Sequence, residues 1–73
     1  MELNEFLKKL GLRIKFLRMS KDMNQSELAV LVKTFENNMS NIETGKVNIS
    51  MKTLVKIANA LDVEPYKLLE FKD

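Results

Sequence analysis

Apolar residues Leu3, Phe6, Leu7, Leu10, Ile14 and Leu17 recur at gaps of three, one, three, four and three. That is the period of a helix with one buried face, and it predicts a first helix over about residues 3–19. Lys21-Asp22-Met23-Asn24 carries the Asp and Asn of a turn. Asn24 followed three residues on by Glu27 has the form of a capping box, so a second helix starts at about Gln25 and runs to 32, with Leu28, Ala29 and Val32 inward. Lys33-Thr34 interrupts it. Met39 and Ile42 mark a third buried stripe over 36–43, closed by Gly45 in a position that suits a left-handed C-cap. Ser50 caps a fourth helix, 51–61, whose inner face is Leu54, Ile57, Ala58 and Leu61. Pro65 fits the first turn of a fifth, 65–71, with Leu68 and Leu69 inward. Five short helices and no strand pattern predict an all-α fold for a single domain, 1–73.

Composition narrows the chemistry. With 73 residues the chain is near the size at which one hydrophobic core is just sufficient, which leaves no material for a second function. Cysteine and histidine are both absent, so disulfides, thiol nucleophiles, imidazole bases and the usual zinc ligands are absent too. No metal and no cofactor is expected, and no carboxylate pair is placed for acid–base catalysis, so the reading is not an enzyme. The sequence has no run of about 18 apolar residues, and MELNEFLKKL interleaves charged with apolar positions. Neither a membrane span nor a secretory signal is expected, and the expected compartment is the cytoplasm. Charge is uneven: residues 1–60 hold ten Lys/Arg against six Asp/Glu, and residues 61–73 hold two against four. An anionic partner therefore suits the body of the domain rather than its tail.

Two short helices joined by a tight turn, the second polar on its outer side, describe a helix-turn-helix, whose second helix can enter the major groove of DNA. That second helix lies in FENNMSNIE, residues 35–43, which holds three asparagines and no lysine or arginine. Gly11, Ile14, Leu17 and Arg18, then MNQSELA at 23–29, MSNIETGK at 39–46 and MKTLVKIANALDVEPYKLL at 51–69 carry a more specific signal. In these segments the chain resembles the lambda-repressor-like helix-turn-helix family of phage repressors, Cro proteins, XRE-type regulators and restriction-modification controller proteins, over nearly its whole length.

The resemblance implies roles. Gln25, with Ser26 beside it, corresponds to the helix start that meets a DNA phosphate, and Gln25 also buttresses the next helix; an amide beside unpaired helix N–H groups suits a phosphate oxygen. Arg18 and Glu43 match a partly buried ion pair between the first and third helices. Base-reading positions fall on Glu36, Asn37, Asn38, Ser40 and Asn41. Asn37 and Asn41 are four apart and share a helical face; an asparagine amide pairs with adenine N7 and N6, and Glu36 can accept from cytosine N4. Lys46 and Asn48 match phosphate-contacting positions after the recognition helix, and Lys33, Thr34 and Arg13 are further candidates. Lys52 and Lys56 read as solvated surface.

Three residues depart from the family pattern. Lys33 stands where Gly is usual, Thr34 where an apolar residue is common, and Phe35 where Ser or Thr would cap the recognition helix. Phenylalanine cannot cap with its side chain, so either Thr34 caps one residue early or the backbone is left to water or DNA. The function these features imply is a sequence-specific transcriptional regulator, binding double-stranded DNA as a homodimer on a two-fold operator, with Tyr66, Leu69 and Phe71 as the dimer contact. The alternative is an antitoxin or other protein-interaction module. Leu12, Phe16 and Met19, with Val30 and Leu31, would offer it an apolar patch, unless the N-terminal segment folds over them.

Overall fold

The computed structural model describes residues 1–71; the last two positions of the expected domain lie outside the described residues. Four α-helices follow one another: α1 (Leu3–Ser20), α2 (Gln25–Val32), α3 (Glu36–Glu43) and α4 (Met51–Ala60). A short 3₁₀ turn (Pro65–Leu69) stands where a fifth α-helix was expected, and no strand occurs among the described residues. A partner from across the fold meets the segment. The Lys67 carbonyl, which an α-helix continued to residue 71 would pair with the Phe71 N–H, accepts from Arg13 Nε at 2.9 Å and from the Glu70 N–H at 3.4 Å. The segment closes with the tighter spacing of Lys67 N–H to Glu64 O, 2.9 Å, as short stretches do.

Every element sends at least one side chain into the centre. Ile14 of α1, Leu28 of α2, Met39 of α3, Ile57 of α4 and Leu68 of the 3₁₀ turn are all fully buried, with Leu61 just after α4. Deleting any of them would leave a cavity shared by several elements, which is how so small a core stays cooperative.

Side chains cap the starts of α2 and α4. Asn24 Oδ1 accepts from Glu27 N–H at 2.8 Å and Glu27 Oε1 accepts from Asn24 N–H at 2.9 Å, a reciprocal capping box. Ser50 Oγ accepts from Thr53 N–H at 3.1 Å at the start of α4. Helix ends share one device. After α1, α2, α3 and α4 the chain passes through a left-handed residue, namely Asp22 (φ 54°), Lys33 (φ 65°), Gly45 (φ 75°) and Asp62 (φ 56°). In each case the following N–H reaches back five residues: Met23 to Arg18, Thr34 to Ala29, Lys46 to Asn41 and Val63 to Ala58. These are Schellman closures, which satisfy carbonyls that the helix end leaves unpaired. Aspartate tolerates this backbone better than most residues, whereas lysine has no such excuse.

Arg18 and Glu43 are the two buried charged residues among those described, at 7% and 3% exposure. The guanidinium donates from Nε to Glu43 Oε2 at 2.7 Å and from Nη2 to Oε1 at 3.0 Å, and its Nη1 donates to the Met23 carbonyl at 2.7 Å. Gln25 Nε2 adds a donor to Glu43 Oε1 at 3.0 Å. No buried side-chain N or O among the described residues lacks a partner. The network joins α1, the turn before α2, the first residue of α2 and the last residue of α3. Close contact at Gly11 makes it possible: a Cβ there would stand 2.6 Å from the Ile42 carbonyl oxygen and would also collide with that of Glu43.

Two stability predictions follow from these geometries. Lys33→Gly relieves the left-handed strain and should stabilise the fold by about 1 kcal/mol, whereas Gly45→Ala should destabilise it, because its Cβ would meet Lys8 Cα at 2.7 Å; urea unfolding of the two variants should move in opposite directions. Glu43→Ala strands a buried guanidinium and should cost about 3–5 kcal/mol. The double replacement Arg18→Met with Glu43→Leu should cost clearly less than Glu43→Ala alone. A double mutant at least as unstable would show that the ions themselves, rather than the orphaned charge, set the loss.

Candidate nucleic-acid interface

α2 and α3 are separated by three residues, Lys33, Thr34 and Phe35, and pack directly on each other. The left-handed Lys33 and the Thr34 N–H to Ala29 O bond of 2.9 Å turn the chain sharply there. Thr34 does not cap α3: its hydroxyl accepts from Asn38 Nδ2 at 2.7 Å, across the first turn. Phe35 occupies the N-cap position without a side-chain bond and is 81% exposed. Of the two ways the sequence left open, the one present is an uncapped start, open to solvent or to a ligand.

Met39, Ile42 and Glu43 face inward on α3. At 3.6 residues per turn the opposite side is centred on Asn37 and Asn41, one turn apart. Glu36, Asn37 and Asn38 are exposed, while Ser40 and Asn41 are half-buried. The outer face is thus a row of amides and one hydroxyl, rimmed by a carboxylate. Such a row offers paired donors and acceptors and no net attraction for an anion.

The cationic and phosphate candidates surround it. Gln25 is half-buried at the start of α2 with Ser26 exposed beside it, and Lys33 and half-buried Thr34 lie in the turn. Lys46 and Asn48 are exposed in the loop after α3. The capping box uses the Glu27 N–H, and the Leu28 N–H bonds the Asn24 carbonyl at 3.1 Å. The N–H groups of Gln25 and Ser26 remain for an outside acceptor. Arg13 belongs elsewhere. It donates to the Lys67 carbonyl, lies 3.9 Å from Glu70 Oε1 and stacks 5.8 Å from the centre of Phe16, so it braces the 3₁₀ turn against α1.

Two apolar surfaces remain uncovered. Leu12, Phe16 and Met19 form an exposed stripe on α1, and Val30 and Leu31 are exposed on α2; the N-terminal segment does not fold over them. On the other surface Tyr66 and Leu69 are exposed, but Phe71 is half-buried, its ring edge-on to Phe6 at 5.4 Å. Phe71 therefore packs in part against its own chain. Sequence reasoning missed Met51 and Val55, exposed on α4, which packs against the same turn; their four-residue spacing at the edge of the α4 stripe was the available signal.

Among the described residues no group of three or more His, Cys, Asp or Glu could hold a metal ion. No helix among them is long and apolar enough to cross a membrane.

Residues 14–68 match the helix-turn-helix family. The control protein C.BamHI of Bacillus amyloliquefaciens is 37% identical over 62 residues, covering 84% of this chain and 76% of that protein. Among solved structures, the restriction-modification controller protein C.AhdI of Aeromonas hydrophila superposes with a TM-score of 0.83 at 37% identity, over 85% of this chain and 94% of that one. The hypothetical transcription factor NHTF from Neisseria superposes with a TM-score of 0.87 at 27% identity, over 97% and 82%. With α2 and α3 set as a helix pair across a three-residue turn, the chain belongs to the XRE-type, lambda-repressor-like helix-turn-helix family of DNA-binding transcription regulators.

Proposed function

We propose that the protein binds a specific double-stranded operator by laying α3 in the major groove. The observation that carries this reading is the outer face of α3, where Asn37 and Asn41 stand opposite the buried Met39 and Ile42 on a helix held at its end by Arg18 and Gln25. On this reading Asn37, Asn41, Glu36, Asn38 and Ser40 meet base edges. The Thr34 bond to Asn38 fixes the first turn, which favours Asn38 as a positioning residue as much as a reader. Gln25, Ser26, Lys33, Thr34, Lys46 and Asn48 hold phosphates on either side, and the unused N–H groups at the start of α2 support that assignment. The two controller proteins among its relatives support a controller-like regulatory role.

A module of this size buries too little to discriminate one half-site at physiological salt, which favours a homodimer on a two-fold site. Tyr66 and Leu69, joined now by Met51 and Val55, are the proposed contact. A second reading rests on the exposed α1 stripe, where Phe16 is 61% exposed: a protein-interaction module in which DNA binding is secondary.

Titration with a random duplex separates the readings. Log affinity should fall linearly with log salt; absence of binding even at low salt would favour the protein-interaction module. On the operator selected from a randomised pool, Asn37→Ala should weaken binding by about 1–3 kcal/mol and leave random DNA nearly unaffected. Equal losses on both would reduce Asn37 to a backbone contact. For the dimer, Val55→Glu with Leu69→Glu should give a monomer by sedimentation with thermal unfolding of the monomeric fold retained; a dimer that survives both charges would move the contact to another surface.

A further inference from the structure

Lys8 and Lys15 are seven residues apart on α1, close to two full turns, so they project from nearly one side of the helix about 10 Å apart along its axis. Gly11 lies between them, one turn from each, at the point where α1 meets the carbonyls of Ile42 and Glu43. The two lysines thus flank the end of α3. With Leu12, Gln25, Glu43 and Thr44 they line one notch between α1, the start of α2 and the end of α3. Lys8 also backs the loop that follows, since Gly45 rests against its Cα and N. The Glu43 carboxylate at the floor of the notch is already bonded by Arg18 and Gln25. Both lysines are exposed, and neither forms an ion pair with a described residue.

Two unpaired ammonium groups at that separation suit successive charges of a polyanion better than one small ion, which would have to choose between them. They adjoin Gln25 on one side and the Gly45-Lys46 loop on the other. We infer that Lys8 and Lys15 bind phosphates of the DNA backbone, carrying the backbone contact from the start of α2 and the Lys46 loop onto α1. This rests on the DNA-binding reading above and extends it to a helix to which that reading gave no phosphate contact. Lysine suits the task because a mobile point charge needs no fixed geometry to meet a phosphate. A rival structural role is specific: α3 has no basic residue in its own last turn, and cations near a helix C-terminus stabilise it.

Lys8→Gln, Lys15→Gln and the double variant, made in the full chain, separate the two roles. Fluorescence anisotropy with a random-sequence duplex is measured over a series of salt concentrations, alongside thermal unfolding. Each single variant should lower the slope of log affinity against log salt by about 0.9 per bound chain, and the double by about 1.8 per bound chain, with unfolding temperatures unchanged. Lys67→Gln, which removes one charge from the 3₁₀ turn, should leave the slope close to that of the unsubstituted protein. A slope unaltered by the double variant overturns the assignment, and if the unfolding temperature falls at the same time, the lysines serve the end of α3 instead. Should the unsubstituted protein fail to bind duplex at low salt, the DNA reading fails first and this assignment with it.

Discussion

A buried carboxylate governs how this domain is put together. Glu43 is the last residue of α3, and burial there is tolerable only because Arg18 meets both its oxygens and Gln25 adds a third donor. The three residues come from α1, the first residue of α2 and the end of α3, so the angle between the two helices of the motif is set by hydrogen-bond geometry as well as by apolar packing. Arg18 also takes the Met23 carbonyl, tying down the turn that delivers Asn24 to its capping box. A hydrophobic pair in place of the ions could hold the helices together, but it would not hold Gln25 in a fixed position. The same side chain that buttresses α3 is the one proposed to meet a phosphate, which couples the stability of the helix pair to its placement on DNA.

The helix ends show how few glycines such a fold requires. Four helices close through left-handed residues, yet only the third uses glycine. At Gly45 the reason is space as well as φ, because α1 passes immediately behind it. Asp22, Lys33 and Asp62 are all exposed, so their side chains meet no such obstacle and the cost is confined to the backbone. The oddity of Lys33 at a position where the family favours glycine is then intelligible: the turn accepts about 1 kcal/mol of strain to carry a cation beside α3.

Much of this was legible in the chain. The capping box at Asn24 and Glu27, the Ser50 cap, the left-handed Gly45 and the buried faces of α1 to α4, apart from Leu3, which is exposed, follow from local rules, because each depends on residues within one or two turns. The resemblance named Arg18 and Glu43, whose 25-residue separation no local rule could bridge, and the structure has them at 2.7 Å. What local rules could not reveal was decided by which of several partners, near or distant, a side chain took. Arg13 meets the Lys67 carbonyl from 54 residues away, where a 3₁₀ turn stands in place of the expected α-helix. Thr34 is taken up by Asn38 rather than by the backbone it was a candidate to cap, and Phe71 is drawn onto Phe6. Asparagine, threonine and arginine have several possible partners each, and the sequence alone does not rank them.

The absence of lysine and arginine from residues 35–43 is best understood through the cost of placing attraction and discrimination on the same helix. A cation on α3 would be drawn to every phosphate and would strengthen all registers on DNA alike, whereas an amide gains only where donors and acceptors line up. On the proposed reading, placing the charge on Lys33, Lys46 and the α1 face leaves α3 weakly attracted by itself and therefore dependent on fit. That arrangement demands a rigid presentation, since a mobile amide would pair with any base. The rigid parts are those on either side of the proposed reading face: the Thr34–Asn38 bond at one end of α3 and the Arg18–Glu43–Gln25 network at the other. Uncapped Phe35 fits the same logic, because it leaves the N-terminal N–H groups of α3 without a side-chain acceptor and open to a backbone phosphate or water at the interface.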